Sequence, residues 1–397
     1  MSAPNRRRRR PPSRPSSDAP AAPIPDPRRV AVDALVRIER DGAYANILLP
    51  KLLAKSGLTE RDRAFATQLV YGTVRAQRSC DWFVSRFALG ELDDTVRAAL
   101  RVGTFQLRFL GTPPHAAVSA TVEVVPRKAR GLVNAVLRKV AEADDAWPSD
   151  AVRLSYPDWV VDRLTTDLGA EAAVGALTSM NGAATTTERD DGYTQDPASR
   201  WVVDAVGAQP GERVLDLCAA PGGKATALAG DGAVVAAADV RPRRVGLVAG
   251  NASRVGLAPD QLQAVVADGT RPPFADAAFH RVLVDAPCSG LGSLRRRPDA
   301  RWRVDADAPE RLAKLQTRRL DAAAPLVRPG GTLTYSVCTL TAAETTGVAE
   351  AFASSQPGWV PVAPPADPWI PWGTGALLLP QAAETDGMAV FTWRRPT

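Results

Sequence analysis

The stretch Arg281-Val-Leu-Val-Asp-Ala-Pro-Cys-Ser-Gly-Leu-Gly292 decides how this chain is read. Its apolar start, Arg281–Val284, has the character of a buried strand. The strand ends in an acid, a proline, a cysteine and two glycines. Open α/β sheets bind their ligands beyond the carboxyl ends of the strands. Asp285 and Cys288 are therefore placed to meet a substrate. A cysteine in such a turn is also often simply buried, and Cys288 by itself does not choose between the two readings.

Working outward, further strand ends carry matching parts. Arg213–Leu217 reads as a strand, followed by Cys218-Ala219-Ala220-Pro221-Gly222-Gly223-Lys224 and a helix from about Ala225. Glycines in that turn let the backbone approach a nucleotide-like ligand, although the spacing is not that of a dinucleotide fingerprint. Ala233–Val240 is a second strand containing Asp239, an acid able to accept both hydroxyls of an unphosphorylated ribose. Leu262–Ala267 is a third, and Asp268 behind it would face an adenine amino group or serve as a turn residue. Thr332–Ser336 is the strand after the opening one, with Cys338 just past it, so two thiols could flank one pocket. Helices are expected at Arg241–Val255, at Pro309–Val327 closed by Pro329-Gly330-Gly331, and at Ala342–Phe352. Ala376–Leu379 and Met388–Trp393 look like closing strands. Residues 196–397 thus alternate strand and helix, which implies a parallel sheet with right-handed crossovers.

Upstream the period changes. Residues 28–143 repeat apolar positions at helical spacing, as in Val30, Ala34, Leu35 and Ile38, and no alternation interrupts them. An all-helical domain of five to seven helices is expected there. Its exposed arginines and lysines form a basic face or merely a solvated one. Residues 144–195 read as a linker of short helices and polar loop. Residues 1–27 are rich in Pro, Ser, Ala and Arg and are expected to be a disordered basic tail.

The net charge of +6 resides in that tail: residues 1–29 hold eight arginines against two aspartates, and the remainder is neutral. Overall basicity is therefore no argument for a nucleic-acid partner. No apolar run is long enough to span a membrane, and the arginine-rich start lacks the apolar region of a secretory signal. The four cysteines, Cys80, Cys218, Cys288 and Cys338, form no CxxC pair, so no metal is expected and a reducing cytoplasm fits.

Cysteine is the most nucleophilic side chain near neutral pH. The two histidines, His115 and His280, lie away from the carboxyl ends of the strands, which argues against a Cys–His hydrolase. A zinc deaminase needs a second cysteine three residues after Pro-Cys, where this chain has Leu291. A thiolate, a carboxylate and an adenosyl cofactor, without histidine or metal, suit methylation of a pyrimidine at carbon 5. That carbon is inert until a thiolate adds to carbon 6 and makes it enamine-like.

The set Leu215-Asp-Leu-Cys-Ala-Ala-Pro-Gly-Gly-Lys224, Asp285-Ala-Pro-Cys-Ser-Gly290 and Tyr335-Ser-Val-Cys-Thr339 resembles the RNA cytosine-5 methyltransferases, of the bacterial RsmB (Sun, Fmu) type acting on 16S ribosomal RNA. The helical part is similar to the NusB-type RNA-binding fold, with Tyr71-Gly72, Pro114-His-Ala-Ala-Val118 and Val133-Asn-Ala-Val-Leu-Arg138 in matching places. The resemblance implies a NusB-like domain followed by a class I, Rossmann-like methyltransferase domain. It implies Cys338 as nucleophile, Cys288 assisting product release and Asp285 on the cytosine ring. It implies that residues Cys218 to Lys224, with Asp239, Asp268 and Asp285, hold S-adenosylmethionine. Arg295, Arg296, Arg297, Arg301 and Arg303 would contact RNA phosphates beside the pocket. A monomer is expected. Compared with the family, Met180–Tyr193 is short. A non-catalytic RNA-binding or assembly factor with a relic methyltransferase domain is the alternative, and a protein or small-molecule acceptor a further one.

Overall fold

The computed structural model describes residues 26–185 and 187–397. The expected disorder of the N-terminal tail falls on residues outside this range, apart from its last two.

The N-terminal half is helical, as its spacing demands: α1 (Pro27–Arg40), α2 (Ala45–Lys55), α3 (Glu60–Arg75), α4 (Gln77–Ser85), α5 (Asp94–Arg108), α6 (Pro114–Glu123) and α7 (Arg130–Glu142). Their starts are written in the sequence. Asp26 caps α1, its side chain accepting from the Arg28 amide at 2.7 Å, with Pro27 in the first turn. Thr59 and Asp93 cap α3 and α5 in the same way. Around α5, Leu69, Phe83, Leu100 and Leu137 are fully buried in one core.

Three short helices follow: α8 (Asp150–Arg153), α9 (Asp158–Leu168) and α10 (Ala170–Ser179). The C-terminal half then runs α11 (Pro197–Val206), β1 (Arg213–Asp216), α12 (Gly223–Gly230), β2 (Val234–Asp239), α13 (Pro242–Arg254), β3 (Leu262–Val266), β4 (Phe279–Asp285), α14 (Ala308–Ala323), β5 (Val327–Val337), α15 (Thr346–Ser355), β6 (Val360–Pro361), β7 (Ile370–Trp372), β8 (Gly375–Leu378), α16 (Pro380–Ala383) and β9 (Met388–Arg394).

The sheet order is β3-β2-β1-β4-β5-β9-β8-β7, with β6 beside β9. The first five strands are parallel, and the closing ones are antiparallel. Order reverses between β1 and β4, the place where such sheets open a ligand crevice. β4 is buried on both faces: Val282 and Val284 join the core under α14 and α15, while Leu283 joins the core under α11 and α12. Burying each such side chain contributes about 2 kcal/mol.

Two expectations are corrected. The helix read as Pro309–Val327 stops at Ala323, and Val327 already belongs to β5, so Pro329-Gly330-Gly331 lies inside a strand. Gly331 is required there, because a Cβ would stand 2.5 Å from the His280 carbonyl of β4. Second, β6 and β7 were not anticipated; both are short and lie outside the parallel core.

The loop between β4 and α14 reaches into the helical half. Arg301 is fully buried, donating to the Ser155 carbonyl at 3.1 Å and to Asn181 Oδ1 at 2.8 Å, with its guanidinium 3.9 Å from the Tyr156 ring centre. Trp302 Nε1 donates to the Val74 carbonyl at 3.1 Å, and Arg75 reaches back to the Arg295 carbonyl at 3.2 Å. Arg301→Ala strands two buried acceptors in this seam. It is expected to cost about 3 kcal/mol, seen as a lower denaturation midpoint; an unchanged midpoint would mean that the seam does not hold the two halves together.

Candidate active site

Four strand ends converge. Asp216 closes β1, Asp239 closes β2, Asp285 closes β4, and Cys338 follows β5. Asp239, Asp285 and Cys338 line a cavity of about 370 Å³ together with Cys218 and Cys288.

On the sulfur side, the two thiols that lie fifty residues apart in the chain stand 3.4 Å from each other. Gly292 makes this approach possible. Its amide donates to the Cys338 carbonyl at 3.0 Å, its carbonyl accepts from the Gly387 amide at 2.8 Å, and a Cβ would stand 2.3 Å from the Gly387 oxygen. Ser293 Oγ donates to Cys338 Sγ at 3.6 Å. The hydrogen bond with Cys288 draws the Cys338 thiol below its ordinary range despite burial and Asp285, with Ser293 and Lys224 assisting. The same bond, with burial, pushes the Cys288 thiol up. Cys338 is thus the better thiolate of the pair.

Beside the sulfurs, Lys224 Nζ pairs with Asp285 Oδ2 at 2.8 Å. Burial opposes the lysine's charge, but Asp285 holds its pKa above the ordinary value. The ammonium fixes the carboxylate's direction at the mouth of the cavity, where Asp285 keeps about 30 % of its side chain exposed.

On the cofactor side, Gly222 adopts φ +111° at the start of α12, a conformation that favours glycine, and a Cβ there would touch Val248 at 3.3 Å. Asp239 is buried, accepting from the Arg241 amide at 3.0 Å and facing Arg244 at 3.3 Å. Cys218 lines the cavity, and burial pushes its thiol up to about 12, which disfavours it as a second nucleophile. Cys80 is buried among the helices, far from this site.

The structure departs from the sequence reading at several residues. Asp268 is exposed at the rim, with Oδ1 occupied by the Thr270 amide and hydroxyl at 2.9 Å, and it is the neighbouring Gly269 that lines the cavity. Of the arginines expected on RNA, Arg295 and Arg301 are buried against protein carbonyls, because the β4–α14 loop is the seam between the two halves. Arg303 donates to the Gly42 carbonyl at 2.7 Å and pairs with Asp299. Arg296 bridges the buried carboxylates of Asp196 at 2.6 Å and Asp386 at 3.1 Å. Arg297 alone of the five is exposed at the cavity.

Three residues were missed. Asp216 is fully buried with one oxygen unpaired, and burial with Asp285 nearby pushes it up to about 7. Its place at the end of the first strand was the available signal. Arg319 of α14 is buried against the cavity with two guanidinium nitrogens unpaired. Arg189, in the segment read as polar loop, donates to the Gly223 carbonyl at 2.8 Å and to Gln195 Oε1 at 3.0 Å, bracing the glycine turn.

These features fit S-adenosylmethionine: a volume of its scale, a glycine turn, a buried acid on the ribose side, and an unpaired buried carboxylate able to receive an ammonium group. Comparison with known proteins agrees. Residues 204–392 match the model of the 16S rRNA methyltransferase RsmB/F family, and residues 25–142 that of the NusB family. The ribosomal RNA small subunit methyltransferase B of Thermus thermophilus is 36 % identical over 400 residues, covering 93 % of this chain and 98 % of that protein. The protein of the same name from Citrobacter koseri is 31 % identical over 91 % of this chain and 96 % of its own. The crystal structure of PH0851 shares the fold, with a TM-score of 0.76 at 21 % identity over 94 % of this chain and 99 % of that one. The chain belongs to the RsmB/F family of 16S rRNA methyltransferases, with a NusB-family domain preceding a Rossmann-like, S-adenosylmethionine-dependent methyltransferase domain.

Proposed function

We propose that this protein methylates carbon 5 of a cytosine in 16S ribosomal RNA through a covalent cysteine–cytosine intermediate. What supports the reading most is the pair of sulfurs 3.4 Å apart beside the Lys224–Asp285 pair, at one end of the cofactor cavity. When bound, S-adenosylmethionine would supply an electrophilic methyl group, its sulfur–methyl bond breaking to leave the neutral thioether S-adenosylhomocysteine. Residues Cys218 to Lys224, Asp239 and Asp285 would hold it, with Asp216 beneath and Asp268 at the rim.

The Cys338 thiolate adds to C6 of the base, and the C5–C6 π electrons move toward C4 and N3. Asp285, oriented by Lys224, meets the N3–N4 edge and favours that adduct. Carbon 5, now nucleophilic, accepts the methyl group and carries both it and the original hydrogen. Loss of the C5 proton to a base restores the C5–C6 double bond and breaks the C6–S bond. Cys288, whose sulfur lies 3.4 Å from Cys338 Sγ, would give a proton to that sulfur as it departs. Dividing one hard substitution into addition and elimination is what the covalent step accomplishes. The target cytosine must be unpaired or flipped to reach the cavity. Arg297 at its mouth and the helical domain over residues 28–143 would contact the surrounding RNA, with residues 144–195 linking the domain to the catalytic half (196–397) of a cytoplasmic monomer.

Bisulfite sequencing of small-subunit ribosomal RNA tests the substrate assignment. Cells lacking the protein should lose protection at one cytosine, and the purified protein should restore it. Unchanged protection in those cells would overturn the assignment.

A further inference from the structure

Behind the two sulfurs lies a carboxylate that belongs to no strand end. Glu344 ends a short 3-10 turn, Ala342–Glu344, and is fully buried. Its Oε1 accepts from the Ser289 amide at 2.8 Å and from Gln316 Nε2 at 3.1 Å. Its Oε2 accepts from the hydroxyls of Thr341 at 3.0 Å and Thr339 at 3.3 Å. Ser289 and Thr339 also bond to each other, at 2.8 Å. Ser289 follows Cys288, and Thr339 follows Cys338. One side chain therefore grips the residue next to each sulfur. Gln316 extends the grip by donating to the Pro287 carbonyl at 2.9 Å, and the Tyr335 hydroxyl supports it from β5, donating to the Glu344 carbonyl at 2.6 Å.

Four hydrogen bonds satisfy this carboxylate, yet among the described residues it has no cationic partner. A buried charge without a counter-ion is costly. Burial pushes the Glu344 carboxyl up, and the bonds from Ser289, Gln316 and Thr341 oppose that rise; a neutral amide would fill the same space, so charge is the property that tethering alone does not require. The Lys224 ammonium and the Asp285 carboxylate face Cys338 from α12 and β4, and Arg297 and Arg319 line the same cavity.

We propose that Glu344 is the positioning residue that divides the labour between the two cysteines, fixing their mutual approach and setting a negative charge behind Cys288 while Lys224 sets a positive one near Cys338. The inference rests on the reading of Cys338 as nucleophile. The direction of both thiols agrees with it: among the causes that raise Cys288 is the Glu344 charge, and among those that lower Cys338 is Lys224. Two equivalent thiols sharing one proton would leave the thiolate on either sulfur; the charges around them decide which.

The test uses the full chain, with alkylation read in the absence of RNA and turnover measured separately with it. Per-cysteine alkylation by iodoacetamide is followed by mass spectrometry across pH, in the wild type, Glu344→Gln and Glu344→Asp. In the wild type, Cys338 is alkylated at lower pH than Cys288. Glu344→Gln should reduce the Cys338-to-Cys288 alkylation ratio at pH 7 about tenfold, the equivalent of about one pK unit. Its S-adenosylmethionine affinity should stay within about twofold, and kcat should fall while KM for RNA holds. Glu344→Asp keeps the charge and should keep the ratio, losing kcat through the looser tether. An unchanged ratio in a Glu344→Gln protein that still binds cofactor would overturn the proposal. Should Glu344→Gln not fold, a ratio that collapses in Glu344→Asp would overturn it equally. Alkylation is read without substrate, so a methyl group found elsewhere than carbon 5 would sink the proposed reaction and leave this result standing.

Discussion

Replacing Cys338 by alanine is expected to abolish methyl transfer, by about 10⁵-fold, while S-adenosylmethionine affinity stays within about twofold. The reason is chemical. Without a sulfur on C6, carbon 5 of cytosine has no electron density to offer, and no other group is placed to substitute. Cys288 lies 3.4 Å away, but its thiol is pushed up by the hydrogen bond with Cys338, by burial and by Glu344. Cys218 lines the same cavity, yet burial pushes it up to about 12. The residues proposed to hold the cofactor lie in the turn before α12 and at the ends of β2 and β4, so removing the thiol after β5 is expected to leave them in place. Methyl transfer by the alanine variant at near wild-type rate, with isothermal titration showing normal cofactor binding, would reassign the nucleophile.

Replacing Cys288 has a different expected effect. Addition and methyl transfer need Cys338, whereas elimination needs help for the departing sulfur. Cys288→Ala should therefore let the reaction enter and not leave. The variant should accumulate a protein–RNA species that survives denaturant, migrating on a gel with the added mass of the RNA, while turnover falls about 10³-fold. The double variant Cys288→Ala/Cys338→Ala should form none. Rapid turnover without adduct would show that Cys288 is packing rather than part of the release step.

Much of this was legible in the chain. Runs such as Val282-Leu-Val284 and Val214-Leu215 announce strands because a strand covered on both faces must be apolar throughout, and the acids and thiols after them stand out against that background. The N-terminal helices, expected as five to seven and found as seven among the described residues, were open to reading through their apolar spacing, and Asp26, Thr59 and Asp93 mark three of their starts. What escaped was whatever depends on contacts distant in sequence. Arg295 to Arg303 looks like a solvated basic patch, and only the fold reveals that Arg301 is buried with its Nη1 donating to Ser155 and Asn181. The apolar companions Pro298 and Trp302 were the one local hint that this loop is covered. Glu344 sits in an unremarkable Ala-Ala-Glu turn, and its importance comes wholly from Ser289 and Gln316, which the topology brings to it from elsewhere in the chain. Arg189 escaped for the same reason: a polar, glycine-bearing segment reads as loop, and its bond to the Gly223 carbonyl is invisible until both are placed.

The central claim is that a sulfur–carbon bond joins the enzyme to its substrate during the reaction, and that Cys338 makes it. The most direct measurement is to digest the denaturant-resistant adduct of Cys288→Ala with nuclease and protease and locate the linked nucleotide by mass spectrometry. A methylated cytidine attached to the peptide containing Cys338 is the expected result. A cytidine attached to any other residue, or no covalent species at all from a variant that still binds RNA and cofactor, would contradict it.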